Sequence, residues 1–419
     1  MDRNLSELLK KNISAKQLDL IHRVVDEASM LKFPIYIVGG FVRDLLLGHP
    51  SLDFDLVVEG NAITLARALA QKYGGSVTAH EKFITAKWFL DDKHSFIDLI
   101  SARSEIYKHP AALPTVKMGR ISDDLHRRDF TINTLAIRLD GDHFAELRDE
   151  LGGMEDLQHH LVRVLHPRSF IDDPTRMFRA IRYEQRYRFK IAKETLTLIF
   201  EARELMKELS PQRIRHELDL ILDEPNADSM LSRLDNLGLL KPIYPSLRWD
   251  KASQTRFESA TDFPLGFSSS GLSNIRDLRW LLWLMTLSNK EIASLNKRLH
   301  FTAPLLKSLL ASSELHSDVP AFSKLKPSQC VERFDQFPLQ AIYAVLRAAP
   351  RGKLKQAMEK YLMEWRHIKP RTTGNDLKKL GIEPGPKYQT ILRTLRAAWL
   401  DGEVKNASEE KNLLKKILD

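Results

Sequence analysis

From residue 33 onward, apolar positions fall first into short β-rich runs and later into long helical repeats. Phe33-Pro-Ile-Tyr-Ile-Val38 reads as a strand stopped by Gly39-Gly40, and Phe54-Asp-Leu-Val-Val58 as a second. Between them, Phe41 to Leu47 carries a helical pattern closed by Gly48. Asn61 suits an N-cap, and Leu65, Leu69 and Tyr73 recur at helical spacing up to Gly74-Gly75. Ala86–Leu90 and Phe96–Ile100 predict two further strands, while prolines and weak periodicity make 104–120 a loop. After about residue 150 the strand signal fades. Helical patterns run from Pro174 to Phe189 and from Lys193 to Leu209, and glycines mark joints at Gly238, Gly266, Gly271 and Gly352. The pattern predicts an α/β head over 1–150 followed by an all-α neck (151–225), body (226–350) and tail (351–419).

Composition narrows this picture. The 419 residues, 43% hydrophobic and 28% charged, suit several packed globular units and exclude global disorder. No apolar run approaches the roughly 20 residues that cross a bilayer; Trp280–Leu287 is short and reads as a buried helix. Met1-Asp-Arg-Asn-Leu-Ser-Glu7 has no apolar signal core, so a cytoplasmic protein without a membrane partner is expected. Cys330, the sole cysteine, excludes an internal disulfide and a cysteine-based zinc site. The net charge is +9, and residues 351–419 hold 16 basic against 9 acidic side chains. That tail fits either a polyanionic partner or solvated helical faces.

Gly39-Gly40 ends a strand and opens a helix, a junction where backbone approaches a bound group closely and free N–H donors meet phosphate. Arg43 adds a charged donor. Asp53-Phe-Asp55 opens the second strand, where residues i and i+2 share a face, so both carboxylates converge. Unpaired, they repel; Mg²⁺, which takes carboxylate and phosphate oxygens, removes that cost. Asp98 interrupts an apolar strand. It is either a third carboxylate of the same site or a buried acid paired with Arg103 or a similar cation.

Arg127-Arg128-Asp129 suits a helix start, with Asp129 near the N-cap and two guanidiniums able to grip a triphosphate or ribose. Asp172-Asp-Pro-Thr-Arg-Met-Phe-Arg-Ala-Ile-Arg182 opens another helix at Pro174. Arg176, Arg179 and Arg182 form a stripe without interleaved acids, opposite Met177, Ala180 and Ile181, and bound phosphate would relieve it.

These strings resemble the nucleotidyltransferase superfamily of DNA polymerase β. More closely, Gly39–Gly48 with Asp53–Gly60, Arg127–Ala136 and Asp172–Arg186 resemble three ordered motifs of the class II (bacterial and eukaryotic) CCA tRNA nucleotidyltransferases and bacterial poly(A) polymerases. The resemblance implies a polymerase-β-like palm with a small mixed sheet. It also implies attack of the tRNA 3′-hydroxyl on the α-phosphate of CTP or ATP, with two Mg²⁺ ions held by Asp53 and Asp55. Gly39, Gly40, Arg43, Arg128, Arg179 and Arg182 would hold the nucleotide's triphosphate end. Asp173 and Arg176 would read its base. Asp172 stands where the family usually has Glu, and Thr134 where alanine is common, the latter expected to affect packing. Leu151–Leu157 resembles the linker into the neck, and Ser210–Leu218 the neck helix. Thr373–Pro386 resembles a glycine-punctuated turn of the family's tail. Lys378, Lys379, Lys387, Arg393 and Arg396 are accordingly candidates for tRNA phosphate contacts. The loop at 104–120, with Tyr107, Lys108 and Lys117, would be the family's switching loop. Partial CC-adding or A-adding enzymes and poly(A) polymerases share every motif; a catalytically inactive RNA-binding protein is the reading from another class.

Overall fold

The computed structural model describes residues 4–49, 54–91, 95–106, 109, 114–258, 274–317, 325–350 and 352–418. The chain divides into two compact units, Met1–Ser210 with Arg233–Ile243, and Pro211–Ser232 with Tyr244–Asp419.

The first unit is built on a seven-stranded mixed sheet. Its strands are β1 (Ile35–Val38), β2 (Asp55–Val58), β3 (Ser76–His80), β4 (Thr85–Phe89), β5 (Phe96–Ser101), β8 (Ala136–Arg138) and β9 (Glu146–Arg148), in the order β3-β4-β5-β2-β1-β8-β9. The remaining two in chain order, β6 (Arg103–Ile106) and β7 (Thr115–Met118), form a separate antiparallel pair. The stretch expected to be a loop is therefore partly a hairpin: alternating Arg103, Ser104, Glu105 and Ile106 find cross-strand partners that weak periodicity hid. Lys117 lies on β7 opposite Ser104; Tyr107 and Lys108 lie outside the described residues.

β1 and β2 are apolar because they are central, and every residue of β1 is buried. β2 and β5 run parallel with Asp55 and Asp98 as register partners. Helix α1 (Ser6–Asn12) is followed by α2 (Ala15–Met30), which has a Ser14–Gln17 capping box. α3 (Gly40–Leu46) leaves β1 directly, and Gly39 takes φ 74°, which a side chain would strain. α4 (Ala62–Tyr73) is capped by Asn61, whose side chain accepts from Ile63 and Thr64 N–H, and it buries Leu65 and Leu69.

α5 (Ile121–His126) and α6 (Gly153–Gln158) lead into the neck helices α7 (Ser169–Asp172), α8 (Thr175–Arg186) and α9 (Lys193–Ala202). A short parallel pair, β10 (Leu161–Val162) and β11 (Lys190–Ile191), ties the ends of this stretch together, strand structure not expected past residue 150.

Among its described residues the second unit is built of helices and their connections, with no strand. Trp280 and Trp283, on the helix Ile275–Leu284, are buried as expected, and Trp280 Nε1 donates to Asp219 at 2.7 Å. Cys330 is buried. The tail helices Gly374–Lys379, Pro386–Leu400 and Ala407–Leu418 enclose Leu377, Ile391, Leu395 and Leu414. None of the described helices is long and apolar enough to cross a membrane. Leu377 is fully buried in this small cluster, so Leu377→Ala should cost the tail about 2–5 kcal/mol. Hydrogen exchange is expected to quicken in the three tail helices and stay unchanged in β2 and β5; equal quickening in both would refute separate cores.

Candidate active site

Two cavities meet where β1 ends and β2 begins, both within the first unit. One, about 400 Å³, is lined by Gly40, Asp55, Glu105, Arg127, Arg128, Asp129, Asn133, Asp173, Arg176, Arg179 and Tyr183 among others. The second, about 690 Å³, shares Gly40 and Asp55 with it and no other lining residue.

Four arginines crowd the smaller cavity, and buried acids keep them there. Asp124 on α5 is fully buried and accepts from Arg127 Nε at 2.9 Å, Arg127 Nη2 at 2.7 Å and Arg128 Nη2 at 2.8 Å. Burial pushes its carboxyl up, but the two guanidiniums outweigh that and hold it below the usual range. Arg127 also reaches Glu105 at 3.1 Å. A Cβ on Gly39 would run into the Arg128 guanidinium, so the first glycine of the pair makes room for this arginine. The arginine pair follows the end of α5 and does not start a helix; Asp129 precedes one 3₁₀ turn, Thr131–Asn133. Thr134 is buried and donates to the Thr131 carbonyl, a packing role.

Asp129 accepts from Arg179 Nε at 2.6 Å and Asn133 Nδ2 at 2.8 Å. Burial raises its pKa, yet Arg179 and Asn133 prevail and hold it at about 2. The α8 stripe is thus only partly without acids: Asp129 serves Arg179 from another segment. Asp173 starts α8, its Oδ1 accepting from Thr175 N at 2.9 Å and Thr175 Oγ1 at 2.6 Å. Arg176 donates through Nη2 to the Arg127 carbonyl at 2.8 Å, while its buried Nη1 has no hydrogen-bond partner. Asp173 and Arg176 both line the cavity; Asp172 instead pairs with Arg168 at 3.3 Å.

Two expected ligand residues are placed elsewhere. Arg43 is 4% exposed and lines neither cavity. Its Nε and Nη2 hold Asp44 at 2.8 and 3.0 Å, Nη1 reaches Asn133 at 2.5 Å, and Nη2 reaches Tyr187 Oη at 2.6 Å. Its donors are thus engaged by Asp44, Asn133 and Tyr187, which ties α3 to the segments around them. Arg182 is buried in α8 and absent from the cavity walls, because α8 turns its third arginine away.

Asp55 stands at the junction of the cavities, and Asp98 lines the larger one beside it. Asp98 pairs with Lys87 at 3.1 Å, whereas Arg103 goes to Glu105 and the Phe83 carbonyl. Asp53 lies outside the described residues, and among those described no group of three His, Cys, Asp or Glu could hold a metal. Oxygen donors on register-paired residues of adjacent strands nevertheless suit a hard cation such as Mg²⁺.

In the second unit, Lys378, Lys379 and Lys387 are exposed. Arg393 pairs with Glu332, and Arg396 holds Asp335 at 2.6 Å and the Ile368 carbonyl at 3.0 Å. Sequence reasoning missed Asp124, Asn133, Tyr183 and Glu105. The Asp124–Arg127–Arg128 spacing of i, i+3 and i+4 was a usable signal; the others needed the fold.

The family described as "Poly A polymerase head domain" matches residues 35–163, and "Probable RNA and SrmB- binding site of polymerase A" matches 188–250. An A-adding tRNA nucleotidyltransferase of Halalkalibacterium halodurans is 30% identical over 97% of this chain and 94% of its own length. Another A-adding enzyme, from Geobacter sulfurreducens, is 32% identical over the whole chain, which spans about half (49%) of that relative. The Thermotoga maritima CCA-adding enzyme complexed with tRNA superimposes with a TM-score of 0.81 at 28% identity, covering 100% of this chain and 99% of that one.

Asp129 yields a pH prediction. Its folded pKa lies below the unfolded value of 3.8, so the stability it contributes is present above about pH 4 and lost as pH falls toward 2. Asp129→Asn should remove roughly 2 kcal/mol of that acid-limb dependence. Denaturant melts at pH 2, 4 and 7 check it; an unaltered acid limb would contradict the assignment.

Proposed function

We propose, for a chain that belongs to the tRNA nucleotidyltransferase family, that it adds CMP and AMP without a nucleic-acid template to the 3′ end of tRNA, building or repairing the CCA terminus. The observation that carries this reading is the concentration of arginines beside Asp55. Arg127, Arg128, Arg176 and Arg179 line one cavity with Asp173, and Asp98 lines the other, with Asp55 shared between them. The smaller cavity takes the nucleoside triphosphate, with Arg127, Arg128 and Arg179 facing its phosphates in a low-dielectric wall. The acceptor's 3′-oxygen bonds to the α-phosphorus as the bond to the pyrophosphate oxygen breaks; the hydroxyl proton goes to water and pyrophosphate leaves. Asp55, with Asp53 and Asp98, would hold two Mg²⁺ ions, which supply charge neutralisation at the attacking and leaving oxygens. The exposed Lys378, Lys379 and Lys387 suit tRNA phosphates, and the chain would work where tRNA is processed, in the cytoplasm.

The base is read by charge and donor pattern. Cytosine and adenine each offer an amine donor beside a ring-nitrogen acceptor, which the Asp173 carboxylate and Arg176 guanidinium match. The unpartnered Nη1 of Arg176 supports this, since a buried donor without an acceptor is costly. Uracil and guanine reverse the pattern. A second reading, addition of the terminal A alone, is favoured by the A-adding relatives.

Transcripts ending before CCA, after CC and after CCA, each incubated with single nucleotides, distinguish these readings. Full synthesis extends the first two with the correct bases, an A-adding enzyme extends only the CC end, and a poly(A) polymerase also extends the complete one. Asp55→Ala is expected to abolish addition while tRNA binding persists, and retained activity would remove its assignment. Asp173→Ala and Arg176→Ala should also lose selectivity against UTP and GTP, by about 1–3 kcal/mol per contact by analogy with groove readout. Arg179→Ala should slow all four nucleotides alike. Comparing kcat/KM across the four decides it; sharp exclusion of UTP by Asp173→Ala would refute base reading.

A further inference from the structure

We propose that a further cavity of the first unit, about 690 Å³, binds a phosphate-class anion apart from the site of transfer. It lies just past the ends of α3, α6 and α8. It shares only Asp44 with the larger cavity beside Asp55, and no lining residue with the smaller one.

Four basic side chains line it. Arg186 closes α8, Arg188 and His160 follow the ends of α8 and α6, and His49 follows α3; all four are exposed. A helix C-terminus favours a cation because its last carbonyls carry partial negative charge. That explains a basic residue at each terminus taken singly, but not why three termini deliver theirs to one cavity. Among the described lining residues the sole carboxylate is Asp44, and it is already committed. It accepts from Arg43 Nε at 2.8 Å, Arg43 Nη2 at 3.0 Å and Tyr187 Oη at 2.9 Å. The arginines of the smaller cavity have Asp124 and Asp129 behind them. This basic wall has no such counter-charge, and an anion supplies it.

The backbone singles out two of the same residues. His160 takes φ 54° and Arg188 φ 55°, left-handed conformations in which glycine is the usual choice just past a helix. Here both positions carry a basic side chain instead. Lys190 N–H donates to the His160 carbonyl at 2.9 Å, and the His160 ring lies 5.0 Å from that of Phe189. One braced corner therefore carries both side chains. Tyr187, between the two arginines, lies under the Arg43 guanidinium, 4.5 Å from its ring centroid. A bound anion thus sits one side chain from Arg43, which in turn reaches Asn133 of the smaller cavity. The ligand chemistry is that of a phosphate group, whether of a free polyphosphate or of a polynucleotide backbone.

The probe is inorganic tripolyphosphate, titrated calorimetrically into the full chain and its Arg188→Gly and Arg179→Ala variants. Glycine suits φ 55°, so Arg188→Gly should melt no lower than the parent while losing the donor. The parent should bind two equivalents. Arg179→Ala should weaken one of them, and Arg188→Gly the other by about ten-fold, the loss of one charge-assisted contact. Two equivalents of unaltered affinity in Arg188→Gly, or the loss of both, would overturn the proposal. A single equivalent in the parent upholds the site if Arg188→Gly weakens it, and overturns it if only Arg179→Ala does. A hairpin RNA added to Arg179→Ala loaded with tripolyphosphate identifies the source. Release of the anion assigns the site to a polynucleotide phosphate, and retention assigns it to a free polyphosphate.

Discussion

The site depends on one ring of largely buried side chains that fastens the neck helix α8 to α3 and to the Thr131–Asn133 turn of the head. Arg43 on α3 grips Asn133; Asn133 holds Asp129; Asp129 holds Arg179 on α8; Arg179 donates to Tyr183 Oη at 2.9 Å. The ring closes where the Arg43 guanidinium lies 5.0 Å from the Tyr183 ring centroid. Buried charges in such a circuit are expensive to unpair, because each broken link strands a desolvated group. Tyr187 reinforces it: burial pushes its hydroxyl up to about 12, so it stays protonated and donates to Asp44 at 2.9 Å. The consequence is geometric. Asp173, just ahead of α8, and Arg176 on it are thereby set relative to the head, as the proposed base reading requires.

Charge is arranged by the same economy. Asp124 and Asp129, both buried, neutralise Arg127, Arg128 and Arg179 from behind, so the guanidiniums are fixed without being withdrawn from the cavity. An anion arriving there meets donors already oriented, and little reorganisation remains to oppose binding. Opposite them, Lys87 balances Asp98. The two flanks of Asp55 therefore differ in their cations: four arginines line the smaller cavity, two lysines the larger. In the second unit the basic excess is divided: exposed lysines stay open to a polyanion, whereas Arg393 and Arg396 are spent on Glu332 and Asp335.

Much of this could be read along the chain. Gly39-Gly40 at a strand end, Asp55 opening β2, the Asn61 cap and Pro174 before α8 are local signals, set by backbone freedom, alternation and capping within a few residues. They located the head, the helical remainder and most of the residues lining the smaller cavity. What local pattern could not determine was which way a long charged side chain turns. Arg43, Arg179 and Arg182 look alike in sequence, each on a helix near glycine, acid or arginine. Their fates diverge because burial and partners come from segments tens of residues away: Asn133 and Tyr187 enclose Arg43, and Asp129 orients Arg179 toward the cavity. Asp98 likewise acquired meaning only when β5 paired with β2 in parallel, a register that the strand's own residues do not encode. Periodicity sets which face of an element is apolar; the free energy of pairing a buried charge is settled by whichever distant group the fold brings to it.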